Sequence, residues 1–128
     1  MNKYHNRKVI TSDGIEHDSR REANRWCELK LLERAGQIVE LDRQVKFVLI
    51  PAQYEQSFEE LVEGKKPKKP KLIERECAYI ADFVYRDAKT GDLIVEDTKG
   101  YKDGGAYKIF VIKRKLMLHV HGLRVKEV

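Results

Sequence analysis

Cysteine and long apolar runs are both scarce in this sequence. Only Cys27 and Cys77 occur, far apart and without a C-x-x-C spacing. That argues against a disulfide framework or a zinc site. Both lie in patterned segments, so they are expected to be buried free thiols. There is no apolar run of about 18 residues, and no charged segment followed by an apolar stretch opens the chain. A soluble, intracellular protein with no membrane partner is expected. The hydrophobic fraction, 41%, is low and the charged fraction, 37%, is high, as suits a small domain with much of its surface charged. The 128 residues give room for one domain around one core. The net charge of +5 and pI near 9.2 favour a polyanionic partner such as nucleic acid.

What is present is concentrated in Tyr79 to Gly100, YIADFVYRDAKTGDLIVEDTKG. Two runs rich in Ile, Val, Tyr and Phe flank Thr90-Gly91, which is turn chemistry, so a hairpin is expected. Each run carries acids: Asp82 in the first, Glu96 and Asp97 in the second. Side chains two apart on a strand share a face, which puts Asp97 with Lys99 and sends Glu96 to the other side. Folding the hairpin about Lys89 and Thr90 sets Asp82 opposite Asp97. Two carboxylates so placed repel unless a cation lies between them. Mg2+, with its preference for oxygen ligands, is the natural occupant. With a lysine ammonium beside it, that arrangement suits phosphodiester hydrolysis. The plain alternative is a solvated hairpin face, since D-x-K alone is a common triplet.

The pattern D-x(14)-D-T-K-G inside a hairpin resembles the PD-(D/E)XK nuclease superfamily. More closely, the chain resembles a small phage-encoded group within it, nearly end to end. Around D-T-K-G it is similar to the phage endonuclease I type of Holliday-junction resolvases. The resemblance implies an α+β fold, with a mixed central sheet flanked by two main helices, as in restriction endonucleases. It implies a Mg2+-dependent DNA endonuclease (Mn2+ as substitute) acting on branched or structured DNA in phage replication or recombination. Resolvases of this type usually act as homodimers in the cytoplasm of the bacterial host. The set it implies is Asp82 and Asp97 on the metal, Glu22 on the metal directly or through water, and Lys99 at the attacking water or the pentavalent phosphorane. Ala81 stands where the motif has proline, a position that supplies no ligand.

The remaining segments surround this hairpin. Ser12-Asp13-Gly14 predicts a small N-terminal hairpin. Ser19 and Glu22 have capping-box spacing, and a helix is expected from about 19 to 35 with its Trp26 side on a sheet, stopped by Gly36. Glu22 thus has a complete structural explanation beside the metal-binding one. The run 44–51 reads as a central strand covered on both sides. Residues 52–71 lose periodicity and end in a proline-broken basic tract, expected as a flexible exposed loop. Lys65, Lys66, Lys68 and Lys69 there are either solvated or DNA-gripping. A second helix is expected over 106–120, with Ile109, Ile112, Leu116 and Val120 as its buried stripe. Its basic face, with Tyr107, Lys108 and Lys113, is either solubilising or a phosphate contact. His119 and His121 fit helix-end histidines better than a metal pair. Residues 123–128 alternate as a final strand. The competing reading is a DNA-binding module that shares the fold but lacks the chemistry.

Overall fold

The computed structural model describes residues 7–55, 69–100 and 102–128. The fold is α+β. A short hairpin of β1 (Val9–Ile10) and β2 (Glu16–His17) turns at Gly14, whose φ of 85° suits glycine. Helix α1 (Arg20–Arg34) follows. Its N-cap is Ser19, whose hydroxyl accepts the Glu22 N–H at 3.1 Å, as the capping-box spacing predicts. Trp26 stacks on Phe83 with ring centroids 6.0 Å apart. Its indole N–H donates to Asp13 Oδ2 at 2.7 Å, tying the helix to the first hairpin.

The main sheet has four strands in the order β3 (Ile38–Ile50), β6 (Cys77–Asp87), β7 (Leu93–Asp97) and β8 (Val125–Glu127). β3–β6 and β6–β7 are antiparallel, and β7–β8 is parallel. The β6–β7 pairs Phe83 with Glu96, Val84 with Val95, Tyr85 with Ile94 and Arg86 with Leu93. This is the register expected from folding at Lys89 and Thr90. α1 covers one face through Trp26, Leu29, Ile38, Phe83 and Tyr85. Helix α2 (Gly104–Leu116) is continued by a π-helical turn (Met117–His121). It covers the other face through Phe110 and Met117, against Leu49, Tyr79, Ala81, Val84, Val95 and Val125.

Four expectations are corrected. β3 is an edge strand, not a central one, and its residues alternate in exposure because one edge and much of one face meet water. It also begins earlier, at Ile38, and accommodates left-handed Glu40 and Gln44. The 52–71 segment is not all loop: β4 (Gln53–Glu55) pairs with β5 (Lys71–Glu74) in a two-stranded ribbon. On α2, Ile109, Ile112 and Val120 are exposed and Phe110 and Met117 are buried. The helix has apolar residues on more than one side, so composition did not fix which side faces in. Cys27, predicted buried, lies on the exposed side of α1, and Cys77 is half-buried; both are free thiols.

Candidate active site

The site forms where the hairpin stops pairing. The last β6–β7 pair is Phe83 with Glu96; Asp82 and Asp97 are the next residues beyond it. The strands' alternation also slips here. Ala81 and Val84 both pack on the α2 side, while Phe83 packs on the α1 side. On the neighbouring strand the ladder pairs Arg43 with Phe83 and Val45 with Ala81, and skips Gln44 opposite Asp82. Gln44 has a φ of 52°, so the interruption carries local backbone strain. An irregular rung of this kind re-aims side chains.

Asp82 is held in this gap. The Thr98 N–H and the Thr98 hydroxyl both donate to its Oδ2 at 2.8 Å. The Gln44 amide donates to Asp82 Oδ1 at 3.4 Å and to Glu22 Oε1 at 3.1 Å. One amide nitrogen therefore bridges the hairpin acid and the helix acid. On the other side, Asp97 accepts the Tyr79 hydroxyl on Oδ2 at 2.5 Å and meets the Lys99 ammonium at 2.9 Å on Oδ1. The shared face expected of Asp97 and Lys99 is present. The Lys99 ammonium also lies 4.2 Å from the Phe110 ring centroid, a cation–π contact.

The electrostatics join the three acids. Burial, and then the charge of Asp82, push the Asp97 carboxyl up to about 6. Burial, then Asp82 and Asp18, push Glu22 up to about 7. Asp82 is the negative group felt by both. Burial and the facing Asp97 raise the Tyr79 hydroxyl, so it stays a proton donor. The donor set is hard oxygen under mutual repulsion. It suits Mg2+ held by one or two carboxylates with water completing the shell. Among the described residues no group of three or more His, Cys, Asp or Glu is arranged to hold a metal ion, so Asp82, Asp97 and Glu22 do not form a preassembled three-ligand site.

Glu96 takes no part in this cluster. It is fully buried on the α1 side, where Arg25 grips it with two bonds of 2.7 Å and the Tyr85 hydroxyl donates to it. Burial raises its pKa, but Arg25 and Tyr85 outweigh that and the net shift is downward.

The expected DNA contacts are placed unevenly. Lys65, Lys66 and Lys68 lie outside the described residues. Lys69 and Lys108 are exposed and Lys113 is half-buried on α2. Tyr107 is half-buried; its hydroxyl donates to Glu127 Oε1 at 2.9 Å and its ring packs on Phe110. His121, which is exposed, has its Nε2 2.7 Å from the Val48 carbonyl oxygen.

The sequence belongs to the group described as "Protein of unknown function (DUF1064)", matched over residues 1–126. It is a DUF1064 family member. No curated protein and no solved structure matches the chain.

In this DUF1064 chain three site residues escaped the sequence reading. Gln44 bridges two acids, but a glutamine in an apolar strand carries no motif. Arg43 lies 3.9 Å from Glu22 Oε1, and buried His17 has its Nδ1 3.8 Å from the same oxygen. Burial, then Arg43, hold the His17 pKa down, and its Nδ1 is buried with no hydrogen-bond partner among the described residues. The only sequence signal for His17 was its place just before the Asp18-Ser19 helix start.

Proposed function

We propose that this DUF1064 protein is a divalent-metal-dependent DNA endonuclease. The observations that carry the reading are the Gln44 amide that joins Asp82 to Glu22, and the Lys99 ammonium on Asp97, with Asp82 and Asp97 each one residue beyond the last hairpin pair. A bound Mg2+ would polarise a phosphoryl oxygen and lower the pKa of a coordinated water. Asp82 and Asp97 would hold it, and Glu22 would reach it through water. The chain's own groups do the remaining work. Thr98 and Gln44 lock Asp82 in orientation, and Tyr79 does the same for Asp97. Lys99 supplies a positive group where charge develops on the phosphorane. By its resemblance to junction-resolving phage nucleases, the substrate is branched or structured DNA and the active form is a dimer.

A second reading has its own support. Both Asp97 oxygens already have protein donors, an arrangement that also serves a DNA-binding module without chemistry. A panel of four-way junction, flap, single strand and plain duplex, incubated with Mg2+ or Mn2+, separates the two. Cleavage of a branched substrate by the native protein and none by Asp97→Asn is expected. DNA binding without cleavage of any substrate would leave the binding module.

A further inference from the structure

A cavity of about 570 Å3 opens beside Thr98. It is lined by Arg20, Arg21, Arg25 and Lys126, with Asn24, Glu28 and Val128. The volume lies within the range of small-molecule sites, roughly 300–1,000 Å3. Its lining carries four cations, against the Glu28 carboxylate and the terminal carboxylate of Val128. Arg25 is committed to Glu96 and Glu28. Among the described residues Arg20, Arg21 and Lys126 have no ion-pair partner, and all three are exposed.

The cavity also adjoins the acids. Thr98 lines it and at the same time holds Asp82 through its N–H and hydroxyl. Arg21 Nε lies against the backbone that follows Lys99, 3.7 Å from where a Cβ on Gly100 would stand. Lys126 pairs across from Glu96, on the strand beside the D-x-K segment. Cations of this kind recognise phosphate, with arginine doing so through paired donors.

We propose that this cavity is a phosphate subsite, taking a phosphate group of the nucleic-acid strand next to the one at the acids. Its link to cleavage rests on the nuclease reading; its binding of phosphate does not. It would fix the strand's register relative to Asp82 and Asp97 without reading sequence. The phosphate is either internal to the strand or a 5′-terminal one, and the two share this chemistry.

The test is fluorescence anisotropy of labelled oligonucleotides in EDTA over a series of KCl concentrations. Each oligonucleotide is used with a 5′-phosphate and with a 5′-hydroxyl. The doubly substituted Arg20→Gln/Arg21→Gln protein is expected to bind about tenfold more weakly. Its salt dependence is expected to flatten by roughly one phosphate contact's worth of slope or more. Lys89→Gln, a single cation removed at the distant hairpin turn, controls for general charge. Arg21→Glu, at an exposed position, is expected to weaken binding further while the unfolding midpoint stays near that of the native protein. A native preference for the 5′-phosphate that disappears in the double variant assigns a terminal phosphate. Equal binding of the two ends, lost in parallel, assigns an internal one. Affinity and slope in the double variant equal to those of Lys89→Gln would overturn the proposal. Asp97→Asn keeps the tests apart: if it still cleaves, the nuclease assignment falls and the subsite is judged on binding alone.

Discussion

Glu96 and Asp97 are neighbours on one strand, equally hidden from solvent, and they meet opposite fates. Glu96 turns toward α1 into a fork of Arg25 donors and a tyrosine hydroxyl, and its pKa falls. Asp97 turns toward α2, has the single cation Lys99, and lies within reach of Asp82's charge; its carboxyl is pushed up to about 6. Burial is common to both and does not separate them. What separates them is the balance of partners, since a buried charge is stable when it is fully paired and perturbed when a like charge shares its space. One acid holds the fold together, and its neighbour has the signature of a functional group.

The sharpest way to break this comparison is to neutralise each acid in turn. Asp97→Asn, or Asp82→Asn, is expected to lower metal-dependent cleavage by on the order of 10^2–10^3-fold or more. The circular dichroism spectrum should stay native. Glu96→Gln is expected to do the reverse. It removes the buried one of the two carboxylates that Arg25 grips and should cost about 3 kcal/mol in denaturant unfolding. Cleavage per folded molecule should be retained. If both substitutions acted alike, the division of labour would be wrong.

Titration gives the next largest effect. Glu22 and Asp97 have folded-state pKa values above the ordinary carboxylate range. The folded state therefore binds protons that the unfolded chain has released. Stability from this source is complete below about pH 4 and is lost as pH rises through about 6 to 7. Each group contributes on the order of 2–3 kcal/mol. The metal-free protein should thus unfold more easily at pH 8 than at pH 5, and Asp97→Asn should flatten the profile. Added Mn2+ should raise the unfolding midpoint at pH 8 and have little effect at pH 5, because a ligand that binds only the folded state stabilises it. Glu96, shifted downward, should leave this window unchanged.

The smallest effect probes the helix that serves both acids. α1 presents Glu22 to one cluster and Arg25, one turn on, to the other. Ser19→Ala removes the bond to the Glu22 N–H and should cost about 1 kcal/mol in thermal unfolding. It should disturb both clusters together.

The hairpin was legible because its turn residues set the register of the β6–β7 pairs directly, up to Phe83 with Glu96. α1 was legible from its cap and from Trp26. The interruption at Gln44 was not, since it depends on how β3 bends along β6 and no local pattern encodes it. α2 was misjudged because Ile109 and Ile112 satisfy helical spacing as well as Phe110 and Met117 do, and only the opposing sheet decides between them. Arg25 reaches Glu96 across a separation in sequence that pattern reading does not cover. The same holds for His17 and Glu22, which converge only when the first hairpin folds over the helix start.

The stack of Trp26 on Phe83 determines how well this protein tolerates change far from its acids. Because one helix delivers a carboxylate to Asp82 through Gln44 and a guanidinium to Glu96, the indole acts as the fulcrum of a single lever. A smaller side chain there would let the lever tilt, displacing both ends at once. Displacement of Glu22 in such a variant would then accompany loss of stability, although neither acid had been touched.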